Sequence, residues 1–209
     1  MNEAMLYGQL AENEVACNLC NHRCKIKEGR RGICGVRENR GGKLYSSVYG
    51  KIIAEHIDPI EKKPLFNFLP GSRAFSIGTV GCNFRCKHCQ NFDISQYPHE
   101  HGGAIKGHVR TPEQIVVAAK AAGCETIAYT YNEPTIFYEF AYDTAVLAQK
   151  EGIKNVFVSN GYMSSEAARQ IAPYLDAINI DLKAFTDKFY KEVCGARLNP
   201  VLETILLMK

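Results

Sequence analysis

The stretch VGCNFRCKHCQN carries three cysteines, Cys82, Cys86 and Cys89, in the pattern CxxxCxxC. Thiolates this close in sequence can converge on one metal centre, whereas the cysteines of a disulfide framework are spread through a secreted chain. A structural zinc ion wants four closed ligands. The one further donor nearby is His88, but it adjoins Cys89, and adjacent residues rarely reach one tetrahedral ion together. A four-iron, four-sulfur cube fits the donor set better, because three corners take the thiolates and the fourth iron stays open to a ligand from outside the chain. An open corner is a reactive corner.

A second group, Cys17, Cys20, Cys24 and Cys34, supplies four thiols, with His22 among them and Gly32 and Gly35 around the last. Four sulfurs satisfy tetrahedral zinc and equally a four-iron cluster with no open position, and the spacing does not separate the two. Zinc would staple a lobe too small to fold unaided, while a cluster could relay electrons to the first site. Arg23, Arg30, Arg31 and Arg37 give this lobe a positive surface, read as a solvated face rather than a partner's landing site. The two remaining cysteines of the nine, Cys124 and Cys194, fall at a helix end and in a loop and read as buried small side chains or incidental thiols.

The elements that must position these groups follow from the pattern of apolar residues. Residues 1–72 read as a Cys-rich lobe, then a hairpin over KLYSSVYGKIIAEHI (43–57) around Gly50, then an irregular connector with a turn at Pro70 and Gly71. From residue 73 to 209 the order changes. Short apolar runs AFSIGTV, ETIAYTY, NVFVSN and AINIDLK are each followed by a helical pattern, as in four βα units on a parallel sheet. Thr111, Pro112 and Gln114 give one helix an N-cap, a first-turn proline and a capping-box partner, and Gly123 closes it.

The strand ends carry the polar residues. In AINIDLK, alternation places Ile178, Ile180 and Leu182 on one face and Asn179, Asp181 and Lys183 on the other. The preceding runs end at Cys82, at Asn132 and Glu133, and at Ser159 and Asn160. In α/β barrels the loops at the C-terminal edge of the strands build the active site, so four strands are expected to aim polar groups at one mouth.

CxxxCxxC directly after the first strand of such a series resembles the radical S-adenosylmethionine (radical SAM) superfamily. The resemblance implies a (β/α) barrel and a [4Fe–4S] cluster on Cys82, Cys86 and Cys89, with SAM as the missing ligand through its amino and carboxylate groups. It implies a low-potential electron donor of the flavodoxin or ferredoxin type, since cluster potentials span roughly −700 to +450 mV and reducing a sulfonium needs the low end. The electron enters the carbon–sulfur bond, giving methionine and a 5′-deoxyadenosyl radical that abstracts hydrogen from a substrate. YNEP, residues 131–134, stands where the superfamily often has Gly-Gly-Glu-Pro against the SAM amino group, which makes Asn132 and Glu133 candidates without the two glycines. SNG, residues 159–161, is similar to the ribose-contacting segment and marks Asn160. DLK, residues 181–183, resembles the motif of glycyl-radical-enzyme activases, with Lys183 pairing the SAM carboxylate and Asp181 near a cation site. His88 occupies a place that is often aromatic, where it could stack near the adenine or stand exposed.

The stretches GKIIAEHIDPIEKKPLFNFLPGS, TVGCNFRCKHCQNFDISQ and VCGARLNPVLETI further resemble the radical SAM enzyme of the AmmeMemoRadiSam system, a relative of pyruvate formate-lyase activating enzymes. Such proteins complete further βα units, so the expectation here is α/β, a partial (β/α) barrel with its C-terminal units missing.

Composition sets outer bounds. The 209 residues carry a net charge of +3 with no basic block, so neither nucleic acid nor a membrane surface is an expected partner. No apolar run reaches the roughly 18 residues of a membrane span, and the N-terminus lacks a signal-peptide pattern, which reads as cytoplasmic. Three functions remain open: a radical SAM enzyme acting on an unidentified substrate that could be a protein, a glycyl-radical-enzyme activase, and a non-catalytic binding module stapled by zinc at both cysteine groups.

Overall fold

The apolar runs become strands of one mixed sheet in the computed structural model, which describes residues 1–209. In chain order they are β1 (Ala54–Pro59), β2 (Arg73–Gly78), β3 (Thr126–Tyr129), β4 (Lys154–Ser159) and β5 (Ala177–Ile180). Their spatial order is β5-β4-β3-β2-β1. From β2 to β5 the strands are parallel, with Ala128 level with Ser76 and Val156, and Val158 level with Asn179; β1 is antiparallel to β2. Helices α1 (Pro112–Ala121), α2 (Tyr138–Lys150), α3 (Ser165–Ile171) and α4 (Leu198–Leu207) follow the four parallel strands.

The central strands are buried on both faces, as parallel strands must be when helices cover them. Ile77, Ile127, Tyr129, Val156 and Phe157 have no exposed surface, and each such side chain contributes about 1.5–3 kcal/mol of burial. The cap of α1 is as expected: Gln114 N donates to Thr111 Oγ1 at 3.3 Å, Thr111 N donates to Gln114 Oε1 at 3.0 Å, and Gly123 takes a φ of +62° beyond the last turn.

The hairpin expected over residues 43–57 does not form. Lys43–Ser46 instead pairs with Arg37–Arg40 and with Asn2–Glu3, Lys51–Ile52 pairs with His108–Val109, and β1 joins the main sheet. The turn that forms lies at Gly41 and Gly42, whose φ values of 61° and 75° suit a two-residue hairpin. Gly50 serves a different purpose. A Cβ there would lie 2.5 Å from Arg110 O, so glycine lets two distant segments touch.

The cysteine-rich segment does not stand apart from the sheet. Leu19, Val36 and Leu44 share one apolar core with Ile115, Phe137 and Phe157. Arg37, expected on a solvated face, is 2% exposed, and it spans the junction. Its Nη2 donates to Glu139 Oε1 at 2.8 Å and to Met5 O at 2.7 Å, and its Nη1 donates to Glu139 Oε2 at 3.2 Å. A planar guanidinium matches a carboxylate in this two-pronged way, which fixes the lobe against α2.

Removing one partner would leave a buried charge alone. Glu139→Ala is therefore expected to cost about 3–5 kcal/mol in urea unfolding, and Arg37→Met combined with Glu139→Leu to cost less than either single change.

Candidate active site

The loops leaving the C-terminal ends of β2 to β5 surround a cavity of about 340 Å³. Cys82, Cys86 and Cys89 all line it, and so do Asn132, Asn160, Asp181, Lys183 and His88. Four strand ends converge on one mouth. The backbone at Gly81 makes the first of them possible: its φ is 98°, and a Cβ would lie 2.5 Å from Val36 Cγ1 and 3.0 Å from Cys34 O. Only glycine lets the chain pass between lobe and sheet before delivering Cys82.

Both of the deeper thiols are poor acids as they stand. Burial and the nearby Glu133 carboxylate push Cys82 well above the ordinary thiol range, and burial together with the Cys194 thiol pushes Cys86 up to about 12. A bound cationic centre supplies the charge that removes such protons. Cys89 Sγ lies 3.3 Å from Ser95 Oγ.

Glu133 lies behind the cavity wall rather than in it. It has no exposed surface, and its Oε1 accepts from Thr135 N at 2.9 Å, Thr135 Oγ1 at 2.5 Å and Ser159 Oγ at 2.8 Å. Its Oε2 accepts from Asn160 N at 2.7 Å. Asn160 is also committed: its Nδ2 donates to Asn83 Oδ1 at 2.7 Å, and its Oδ1 accepts from Tyr162 N at 3.0 Å. Asn132 is different. Its Nδ2 donates to Gly81 O at 2.6 Å, but its buried Oδ1 has no partner. A buried acceptor without a donor is costly, and Asn132 is among the residues lining the cavity.

Lys183 Nζ donates to Asp181 Oδ2 at 2.8 Å, and Asn179 Nδ2 donates to Asp181 Oδ1 at 2.8 Å. Burial alone would lower the lysine's pKa, but the bond and charge of Asp181 outweigh it, so the ammonium is held above its usual value and stays charged. His88 is exposed, with its ring 5.9 Å from that of Phe189.

The description "Radical SAM superfamily" matches residues 76–209. The chain belongs to the radical SAM superfamily. It is 50% identical over 209 residues to the Methanocaldococcus jannaschii protein MJ0808, covering all of this chain and 61% of that protein. It is 26% identical over 190 residues to MJ0674 of the same organism, covering 88% of this chain and 49% of that protein. The chain therefore spans about half to three-fifths of the length of these relatives. A solved structure of TYW1 with a lysine–pyruvate adduct superposes with a TM-score of 0.44 at 19% identity, covering 70% of this chain and 54% of that one.

Radical SAM proteins carry a [4Fe–4S] cluster and SAM, and the residues here fit both. Three thiols line one cavity with Asn132, whose amide oxygen has no partner, and with Lys183, a charged donor that suits a carboxylate.

Tyr131, the first residue of YNEP, makes contacts that the motif does not suggest. It lines the cavity with a left-handed backbone at φ 69°, uncommon for a bulky residue, and its phenol donates to Asp58 Oδ2 at 2.7 Å. Asp58 also accepts from Lys62 Nζ at 2.8 Å and from the buried Lys63 Nζ at 2.7 Å. Asp58, Lys62 and Lys63 come from the stretch that the sequence shows as an irregular connector, and the pairing of β1 with β2 brings Asp58 to Tyr131.

The second cysteine group gathers as well. Cys17, Cys20, Cys24 and Cys34 line one narrow space of about 10 Å³, together with Leu19, Ile26 and Ile136. No three Cys, His, Asp or Glu side chains, in this group or in that of Cys82, Cys86 and Cys89, stand close enough together to hold one ion as they are placed. The space adjoins the first site: His22 Nε2 donates to Asn83 O at 2.7 Å, and Asn83 follows Cys82 directly.

Burial would raise the pKa of Asp58, but its bonds from Lys62, Lys63 and Tyr131 outweigh that and hold it well below the usual carboxylate range. Its contribution to stability is thus present above the unfolded value near 3.9 and is lost as pH falls toward the folded value. Asp58→Asn is expected to cost about 3 kcal/mol at neutral pH, and the difference from wild type should shrink as unfolding is measured below about pH 4. An equal difference at both pH values would contradict it.

Proposed function

We propose that this chain is the SAM-binding part of a radical SAM enzyme, with Cys82, Cys86 and Cys89 as the ligands of the catalytic [4Fe–4S] cluster. The observation that carries this is the donor set: three thiols, with no fourth cysteine, lining one cavity together with Lys183 and Asn132. When bound, the cluster and SAM supply reductive cleavage of the sulfonium and a radical that removes hydrogen from a substrate. The chain's own residues bind and orient. Lys183 takes the SAM carboxylate as a flexible point charge, Asn132 Oδ1 accepts from its amino group, and Asn160 and Glu133 hold the wall in place.

The Asp181–Leu182–Lys183 motif and the longer stretches quoted above favour the AmmeMemoRadiSam radical SAM enzyme and kinship with pyruvate formate-lyase activating enzymes, with a protein or peptide as substrate. The sheet of four parallel strands supports a partial (β/α) barrel. A flavodoxin or ferredoxin would deliver the electron, and nine free cysteines suit the reducing cytoplasm. The four thiols of the lobe form a second metal centre in this proposal. Four thiols suit a zinc ion or an auxiliary iron–sulfur cluster equally.

Anaerobic reconstitution of the full-length protein, followed by iron and sulfide analysis and assay of SAM cleavage, tests the reading. Expected is a brown protein that releases 5′-deoxyadenosine when reduced, with this activity abolished in Cys86→Ala. Two tightly held zinc ions and no colour would favour the binding module instead. Lys183→Ala should keep the cluster and weaken SAM binding about tenfold, as loss of a charge-assisted hydrogen bond does.

A further inference from the structure

Tyr131 is held in a conformation that a tyrosine rarely takes. Its φ is 69°, and Asn132 N donates back to Thr130 O at 3.0 Å, so three residues close a tight turn about a left-handed centre. A Cβ strains such a turn, and strain of this kind persists only where the surroundings enforce it. Here the enforcing contacts come from several segments. The phenol donates to Asp58 Oδ2 at 2.7 Å, the ring stands edge-on to His56 with centroids 5.8 Å apart, and Lys63 Nζ lies 4.9 Å from the ring centroid. Asn91 Nδ2 donates to Tyr131 O at 2.5 Å, and a Cβ on Gly78 would lie 2.8 Å from Thr130 O.

The turn delivers Asn132. That residue lines the cavity with the three thiols, its Nδ2 donates to Gly81 O at 2.6 Å, and its buried Oδ1 has no partner. A Tyr131 relaxed to an ordinary negative φ would redirect the chain leaving it, and Asn132 is the first residue to move. The anchor for the phenol is firm: Asp58 is buried and also accepts from Lys62 Nζ and Lys63 Nζ, so it is held whether or not the phenol is present. A tyrosine that only filled a wall would need neither the positive φ nor the bond to a carboxylate.

We propose that Tyr131 is a positioning residue for SAM: its phenol, strapped to Asp58, holds the left-handed turn that sets the Asn132 amide for the amino group of SAM. This rests on the reading of the cavity as the SAM site. Glycine takes such a φ unaided, and the bond to Asp58 is what lets a tyrosine do so.

The test is SAM affinity, by equilibrium dialysis against the reconstituted full-length protein, in wild type, Tyr131→Phe, Tyr131→Gly and Tyr131→Asn, with iron content and the urea midpoint measured for each. Tyr131→Phe keeps the Cβ strain but loses the strap, so its Kd for SAM should rise about tenfold, the loss of one hydrogen bond to a charged group. Glycine and asparagine take a positive φ without a strap, so both should bind within about threefold of wild type. Both lose the packing of the ring and should unfold at lower urea than Tyr131→Phe, so affinity and stability rank in opposite orders. A phenylalanine variant that binds SAM as wild type does overturns the proposal. So does affinity that falls in step with stability, since that is what a wall residue gives. If the glycine variant does not fold, the asparagine variant decides. A wild-type protein that builds no cluster or binds no SAM overturns the site reading and this inference with it, whereas a wild type that binds, with variants in the wrong order, overturns this inference alone.

Discussion

Glu133 is completely buried between the ends of β3 and β4, and its carboxylate can remain there because donors from Thr135, Ser159 and Asn160 satisfy both oxygens. A carboxylate without such partners would be too costly to desolvate. Burial still raises its pKa despite those bonds, a measure of how dry the position is. Fixing Asn160 fixes what Asn160 holds. Its side chain grips Asn83, and Asn83 accepts from His22 of the lobe, so one line of hydrogen bonds runs from the sheet through the loop of the three thiols into the lobe. The residue that family likeness places against SAM is, in this fold, the anchor of the wall beside it.

The same line explains why the two cysteine groups lie back to back. Asn21 N donates to Tyr162 O and Ser164 N donates to Leu19 O, both at 3.0 Å, which fastens the lobe along the segment after β4. Gly81 lets the lobe's Cys34 and Val36 approach the loop before Cys82. The buried Arg37–Glu139 pair closes the opposite side. The lobe is thereby part of the site's foundation, and disturbance of its thiols would reach Cys82 through one residue.

Much of this was legible in the sequence wherever the signal was local. The four parallel strands and the cap of α1 follow from apolar runs and from Thr111, Pro112 and Gln114, since alternation and capping act within a few residues. The thiols, Asn132, Asp181 and Lys183 were legible because spacing and strand direction bring them to one edge. The hairpin over 43–57 was misjudged because an alternating stretch does not say which strand it pairs with, and Gly50 reads as a turn when it is a point of close approach. Asp58, Lys63 and Asn83 were out of reach for the same reason: each acquires its neighbours from segments distant in the chain. Arg37 reads as surface charge until Glu139 is placed opposite it.

The central physical claim is that the three-thiol centre leaves one iron for SAM. Mössbauer spectroscopy of the full-length protein, reconstituted with isotopically enriched iron and compared with and without SAM, addresses it directly. Expected is a change in the parameters of a single iron site of the cluster on adding SAM, with the other sites unaltered. A spectrum indifferent to SAM, or a centre whose irons are all held by the protein's own side chains, would contradict it.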